Sequence, residues 1–357
     1  MLNTSFIQKL LIRCPILQAP MAGGPAGPEL AAAVSNAGGL GNLGAGYLSP
    51  QQLSQAIRDV RLRTDRPFGV NLFVPEPFAE SAEEIRQMKD RLQAYRVQFG
   101  IASAPAPSSY AESFEEQVQA VLDEQVPVCS FTFGIPSQDV IQALKRQGTV
   151  VIGTATTVQE ALQLEAAEVD VIVAQGSEAG GHRGSFLNDG AEPLIGTMAL
   201  VPQIADQVSL PIIAAGGIMD GRGLAASLAL GASAVQMGTA FLACPESGAH
   251  PVYKQRILSA REDDTEITTV YSGKAARGII TDFMKDMRDY SGTIPPYPIQ
   301  NALTRDIRQA AAKAGDPEYM SLWAGQGLRL ATGRTADDIV RQTMEQAAAL
   351  MARMPSM

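Results

Sequence analysis

The chain holds two histidines, and one of them sits where it can do chemistry. His182 lies in the glycine-rich stretch QGSEAGGHRG, residues 175–184, directly after an apolar run. An imidazole titrates near neutrality and is the commonest general base, so this loop is a candidate catalytic centre. Glu178 in the same loop is either a second base or a cap for backbone amides. His250 has no comparable context and reads as an ordinary residue. Two further turns suit a phosphate. IIAAGGIMD, residues 212–220, breaks from strand to helix at Gly216 and Gly217, and Gln236, Met237, Gly238 and Thr239 follow the next apolar run. Paired glycines let backbone N–H groups approach a phosphate, and a helix N-terminus adds a favourable dipole. At the other end of the chain, Met21, Ala22 and Gly23 are small or flexible enough for a flat ring to lie against the backbone. Asn71 offers both donor and acceptor to a heterocycle edge. Together these residues favour a flavin-sized ligand, although spacing alone does not separate a flavin from another nucleotide.

Other patterns carry less. Gly39 to Gly44 matches GxGxxG, but its glycines bracket a candidate strand and the next helix starts only near Pro50, unlike a dinucleotide fingerprint. Cys14, Cys129 and Cys244 are far apart and odd in number, giving neither a disulfide framework nor a metal site. No HExxH or carboxylate cluster suggests a metal. Met344, Met351, Met354 and Met357 read as core and frayed tail.

The elements that must position the site follow from alternation. Eight short apolar runs, most of them β-branched, at 15–19, 40–43, 68–73, 128–133, 149–153, 170–174, 211–215 and 234–237, alternate with helical patterns such as 28–37, 50–63, 137–147, 158–168, 197–208 and 221–230. Eight βα units in order predict an α/β TIM (β/α)8 barrel rather than an open doubly wound sheet. Two regions exceed a barrel. Residues 75–124 contain a charged helical stretch, 81–99, and a Pro/Ala/Ser-rich loop, 102–110, read as a lid on the catalytic face. Residues 243–325 read as an inserted cap and substrate region after strand 8, leaving 1–242 and 326–357 as the barrel.

Composition narrows the partners. Of 357 residues, 46% are hydrophobic and 18% charged, and the net charge is −9 with no basic stripe, which removes the electrostatic basis for nucleic-acid binding. No apolar run reaches the ~18 residues of a membrane span, and the N-terminus lacks a signal-like segment. The expectation is a soluble cytoplasmic protein with small-molecule partners.

QAPMAGG near the N-terminus, GVNLF at 69–73, QGSEAGGHRG at 175–184, AAGGIMDGRG at 214–223 and ALGASAVQMGTAFL at 229–242 resemble nitronate monooxygenases, formerly called 2-nitropropane dioxygenases. The similarity covers essentially the whole barrel, and WAGQG at 323–327 is similar to the signature of the class I branch. The resemblance implies an FMN enzyme that oxidises alkyl nitronates, propionate 3-nitronate above all, with O2 to a carbonyl compound and nitrite, without NAD(P)H, in detoxification. It also implies His182 as the catalytic residue. Met21, Ala22, Gly23, Asn71, Gln175 and Gly180 would contact FMN, and Gly216, Gly217, Gln236, Met237, Gly238 and Thr239 its phosphate end. A carboxylated nitronate meeting a net acidic chain needs local donors; Tyr110 and Tyr297 are the candidates, with Tyr290 and Lys274 behind them. The barrel motifs are shared with NAD(P)H-dependent FMN enoyl-acyl-carrier-protein and quinone reductases, which form the alternative. Oligomeric state is not readable.

Overall fold

A computed structural model describes residues 5–102, 109–187 and 192–353. Helix α1 (Ser5–Leu10) leads into strand β1 (Ile16–Gln18), followed by α2 (Pro28–Ala37), β2 (Gly41–Gly44), α3 (Pro50–Arg61) and β3 (Phe68–Phe73). Then come α4 (Ala82–Gln98), α5 (Phe114–Asp123), β4 (Val128–Thr132), α6 (Gln138–Arg146), β5 (Val150–Ala155), α7 (Val158–Ala166) and β6 (Val171–Gln175). A short strand β7 (Gly181–His182) precedes α8 (Thr197–Ala205), β8 (Ile212–Ala215), α9 (Gly221–Ala229) and β9 (Ala234–Met237). The remainder is α10 (Thr239–Leu242), α11 (Pro251–Ser259), β10 (Thr265–Thr268), β11 (Ala276–Ile279), α12 (Asp282–Arg288), α13 (Ile299–Ala314) and α14 (Ala336–Met351).

Eight parallel strands run in the order β1-β9-β8-β6-β5-β4-β3-β2. A parallel bridge between Leu17 and Leu40 joins the two edges, so the sheet is a (β/α)8 barrel. Side chains complete this seam: the Asn42 amide N–H donates to Gln18 Oε1 at 2.9 Å, and Asn42 Nδ2 donates to the Gln18 carbonyl at 2.6 Å. Gly41 is required here, because a Cβ would fall 1.8 Å from the Ala31 carbonyl oxygen of α2. The β-branched runs are strands because both of their faces are covered, by helices outside and by barrel filling inside. The interior at the N-terminal end is packed by Leu17, Val150, Ile152, Val171, Val173 and Ile213, and α1 plugs it with Phe6, Ile7 and Leu10. Helix starts are fixed chemically: Ser49, Ser113, Ser137, Thr157 and Asp220 each accept a backbone N–H of the helix they precede. The GxGxxG segment runs into β2, and α3 begins at Pro50, as its spacing implies.

The segments outside the barrel differ from the sequence reading in two ways. Helix α4 does not stand alone as a lid; its Met88, Leu92 and Tyr95 share a core with Tyr271, Phe283, Ile299 and Leu303 of the later insert. The buried Arg96 ties it to α13, donating to Asp306 Oδ2 and to the Leu303 carbonyl, both at 2.8 Å. Helix α5 is an ordinary barrel helix packed on β3 and α3. Of the loop read at 102–110, residues 103–108 lie outside the described residues, as do Met354 and Met357. The second difference concerns residues 181–182, read from sequence as loop: they form β7 and pair antiparallel with β11, which pairs with β10, in a separate three-stranded sheet. The insert therefore reaches back and holds the loop after β6. No described helix is long and apolar enough to cross a membrane.

Candidate active site

A cavity of about 590 Å³ opens at the C-terminal end of the barrel strands, within the size range of small-molecule sites and at the face where barrel enzymes do chemistry. Its barrel end is built from backbone. Gly216 and Gly217 follow β8 with φ of 114° and 71°, conformations that suit glycine. Gly238 and Thr239 follow β9 and line the same end with Gln236. Met237 does not line the cavity; its side chain is buried in the barrel core. Met21, Ala22 and Gly23 form another wall. That loop is seated on β2 at Gly44, where a Cβ would lie 2.4 Å from the Met21 carbonyl carbon. Asn71 is buried, and its Nδ2 donates to Ser130 Oγ at 2.9 Å and Thr132 Oγ1 at 3.1 Å. Its Oδ1 is thereby left as the acceptor for a ligand N–H.

The loop after β6 is fixed from several sides. Gln175 lines the cavity, but its amide is committed: Nε2 donates to the His182 carbonyl at 3.0 Å, and Oε1 accepts from Gly184 N at 2.8 Å. Arg183, fully buried, donates to the Gly176 carbonyl at 2.7 Å. Glu178 resolves to the capping alternative, its carboxylate accepting from Thr197 N and Oγ1 at the start of α8. The WAGQG stretch locks these turns together. Gly325 N donates to Thr239 Oγ1 at 2.9 Å and Gln326 N to the Glu178 carbonyl at 3.0 Å. A Cβ on Gly180 would lie 2.5 Å from the Ala324 carbonyl carbon, so the two loops meet backbone to backbone.

His182 is half-buried on the cavity wall, its ring 5.4 Å from Trp323, 5.7 Å from Phe133 and 6.0 Å from Tyr297 between centroids. Its Nε2 lies 2.8 Å from Ser272 Oγ. Burial first, then the positive charges of Lys274 and Arg308, lower its pKa to about 3, so the resting imidazole is neutral. Opposite the barrel end, α13 presents Asn301, Arg305, Arg308 and Gln309 to the cavity, a spacing that keeps one helix face inward. Arg308 Nη2 is held by Asn301, through its carbonyl at 2.7 Å and its Oδ1 at 2.8 Å. Tyr47 lines the cavity and hydrogen-bonds Tyr297; burial raises the pKa of both, so both are protonated phenols at neutral pH.

Of the substrate candidates, Tyr297 stands behind the wall, against His182 and Phe133. Tyr110 is not brought to the cavity; its ring packs on Phe78 at 6.2 Å. Tyr290 belongs to the α4–α13 core. Lys274 pairs with Glu76 at 2.8 Å and lies 4.8 Å over the Phe133 ring. His250 does reach the cavity while capping α11, with Nδ1 accepting from Val252 N at 3.3 Å. Tyr47, Arg305 and Arg308 escaped the sequence reading. The signal for the arginines was periodic: Asn301, Arg305, Arg308 and Ala312 recur at helical spacing, with nothing in sequence to say which side faces a ligand.

A family model described as nitronate monooxygenase matches residues 4–346. A relative from Staphylococcus haemolyticus (strain JCSC1435), named a probable nitronate monooxygenase, is 50% identical over 351 residues, 98% of each chain. A protein of the same name from Staphylococcus aureus (strain MSSA476) is 49% identical over 340 residues, 95% of this chain and 96% of that one. Among solved structures, a nitroalkane oxidase from Streptomyces ansochromogenes superposes with a TM-score of 0.90 at 39% identity, covering 98% of this chain and 99% of that one. FabK from Thermotoga maritima superposes with a TM-score of 0.78 at 34% identity over 98% of each chain.

Proposed function

The chain belongs to the nitronate monooxygenase family and is an oxidoreductase, and from that premise we propose that it uses FMN and O2 to oxidise alkyl nitronates to a carbonyl compound and nitrite, without NAD(P)H. The observation that carries this reading is the polarity of one cavity: left-handed glycines after β8 and the Gly238–Thr239 turn after β9 at one end, and a neutral histidine beside an arginine-bearing helix face at the other. The residues fit FMN. Gly216, Gly217, Gly238 and Thr239 would hold its phosphate end, Met21 to Gly23 its ring, and Asn71 Oδ1 a ring N–H. When bound, FMN supplies the electron transfer that no side chain here can perform.

The chain's own residues bind and orient the substrate. A nitronate carries negative charge, and a carboxylate tail adds more; Arg308 for the nitronate and Arg305 for the tail offer the compensation that a −9 chain otherwise lacks. Propionate 3-nitronate, with its additional carboxylate, is the proposed preferred substrate. Neutral His182 can take a proton from the carbon of a nitroalkane; a preformed nitronate needs no such step. Phe133, Trp323 and Tyr47, backed by Tyr297, wall this end with aromatic surface. In this reading residues 243–325 form the cap and substrate region on a barrel of 1–242 and 326–357, and the three free thiols suit the reducing cytoplasm.

The likeness to FabK keeps an NAD(P)H-dependent reductase as the second reading. The purified protein, mixed anaerobically with propionate 3-nitronate in one cuvette and NADH or NADPH in another, separates the two. Bleaching of the flavin spectrum by nitronate alone is expected. Rapid bleaching by NAD(P)H with no response to nitronate would overturn the proposal.

A further inference from the structure

The turn between β10 and β11, residues 272–274, belongs to no part of the proposed reaction, yet it touches two of the residues that line or back the cavity. Ser272 is buried, and its Oγ has three neighbours: His182 Nε2 at 2.8 Å, the Lys274 carbonyl at 3.0 Å and the Lys274 N–H at 3.3 Å. A hydroxyl has one proton to give and two lone pairs with which to accept. One arrangement satisfies every group: Ser272 donates to the Lys274 carbonyl, and accepts from the Lys274 N–H and from a proton on His182 Nε2. If Ser272 instead donated to Nε2, the buried contact with the Lys274 carbonyl would hold no proton, which is costly.

The turn itself is held rigidly. Gly273 has a φ of 82°, and a Cβ there would lie 2.3 Å from the Pro295 carbonyl oxygen and 2.6 Å from Tyr297 N, so the turn also buttresses the segment carrying Tyr297. Helix α13 grips the preceding residues, with Thr304 Oγ1 donating to the Tyr271 carbonyl at 2.6 Å and Gln300 Nε2 to the Val270 carbonyl at 2.7 Å. Lys274 anchors the far side through Glu76. A hydroxyl on so fixed a turn can dictate where a neighbouring proton sits.

We infer that Ser272 is a positioning residue which fixes His182 as the Nε2–H tautomer and leaves Nδ1 as the bare nitrogen of a ring on the cavity wall. The tautomer stands on the hydrogen bonds alone; the consequence that Nδ1 is the atom which takes a substrate proton rests on the monooxygenase reading. Lys274 on this turn and Arg308 on α13 are the charges that face the ring, and both oppose a second proton on it.

Nitrogen-15 NMR of the flavin-loaded protein, labelled at histidine, tests this directly, because only two histidines contribute. The His250→Asn variant, which keeps a capping side chain, assigns the signals. The expected result is a protonated Nε2 and an unprotonated Nδ1 at His182 near neutral pH. Ser272→Ala should turn this into an averaged mixture of both tautomers, and Ser272→Thr should restore the single form. If Ser272→Ala yields no folded protein, Ser272→Cys, a weaker acceptor, should give an intermediate mixture. A protonated Nδ1 in the wild type, or an unchanged Nε2–H tautomer in Ser272→Ala, would overturn the assignment. The measurement involves no turnover, so its failure would leave the monooxygenase reading standing, and failure of that reading would leave the tautomer result intact.

Discussion

At its barrel end the cavity is walled by backbone: glycine turns after β8 and β9, a small-residue loop seated on Gly44, and loops meeting at Gly180 and Ala324 with no room for a side chain between them. At its other end the wall is side chains, namely the arginines of α13, Tyr47 with Tyr297 behind it, and a histidine whose strand pairs with the insert. The first kind of wall has little room for a side chain at Gly44, Gly180 and Gly216 and suits a fixed cofactor. The second is tunable, since changing a side chain there alters charge or proton placement without moving the chain. In the proposed function the backbone wall holds the cofactor and the side-chain wall carries the chemistry and substrate choice, and each half of that proposal can be broken separately.

The largest effect is expected at the backbone wall. Gly216→Val forces a β-branched residue to a φ of 114° and brings a Cβ within 2.9 Å of Thr197 Oγ1. A φ of that kind costs about 1–3 kcal/mol by itself, and the purified variant should lack flavin absorbance; a yellow, fully loaded variant would break the division. Next, His182→Asn should keep the flavin but slow turnover of neutral nitroalkanes by roughly 10²–10⁴, with preformed nitronates much less affected. Loss of flavin, or equal loss on both substrate classes, would show that the two walls are not separable. Smaller still, Arg305→Gln should raise KM for propionate 3-nitronate by about tenfold, the equivalent of one charge-assisted contact, and leave KM for ethyl nitronate nearly unchanged. An equal rise for both would assign Arg305 to the nitronate group rather than to the tail.

The smallest effect is on stability. His182 has a pKa lowered from 6.5 to about 3 in the folded protein, so between those values the unfolded chain binds the extra proton. Its contribution is therefore complete above about pH 6.5 and declines as pH falls toward about 3. Wild type should lose more melting temperature than His182→Asn between pH 7 and pH 5; parallel losses would mean that the ring is not held neutral.

The same contrast accounts for what could be read from sequence. The barrel was legible because most strands are buried apolar, β-branched runs and several helices carry their own start signal, as Ser49 does for α3 and Asp220 for α9. These are local facts. The glycine turns and the loop carrying His182 were placed at one face from sequence because each follows a barrel strand, and strand ends define the reactive face of a barrel. Arg305 and Ser272 were not, because their positions depend on how the chain after β9 folds back over that face; Tyr47 follows β2 but carries no local signal that it faces a ligand. The pairing of β7 with β11 is one such event: two residues make a strand only because Ala276 and Arg277, far along the chain, lie beside them. Tyr110 shows the converse. It was chosen for its chemistry, and packing on Phe78 directs it elsewhere.

The most direct test of the whole account follows oxygen and nitrite together. The purified flavin-loaded protein, given propionate 3-nitronate in air with no NADH or NADPH present, should consume O2 and release nitrite over many turnovers. Nitrite release that stops after one equivalent of enzyme, or that proceeds only when NAD(P)H is added, would contradict it.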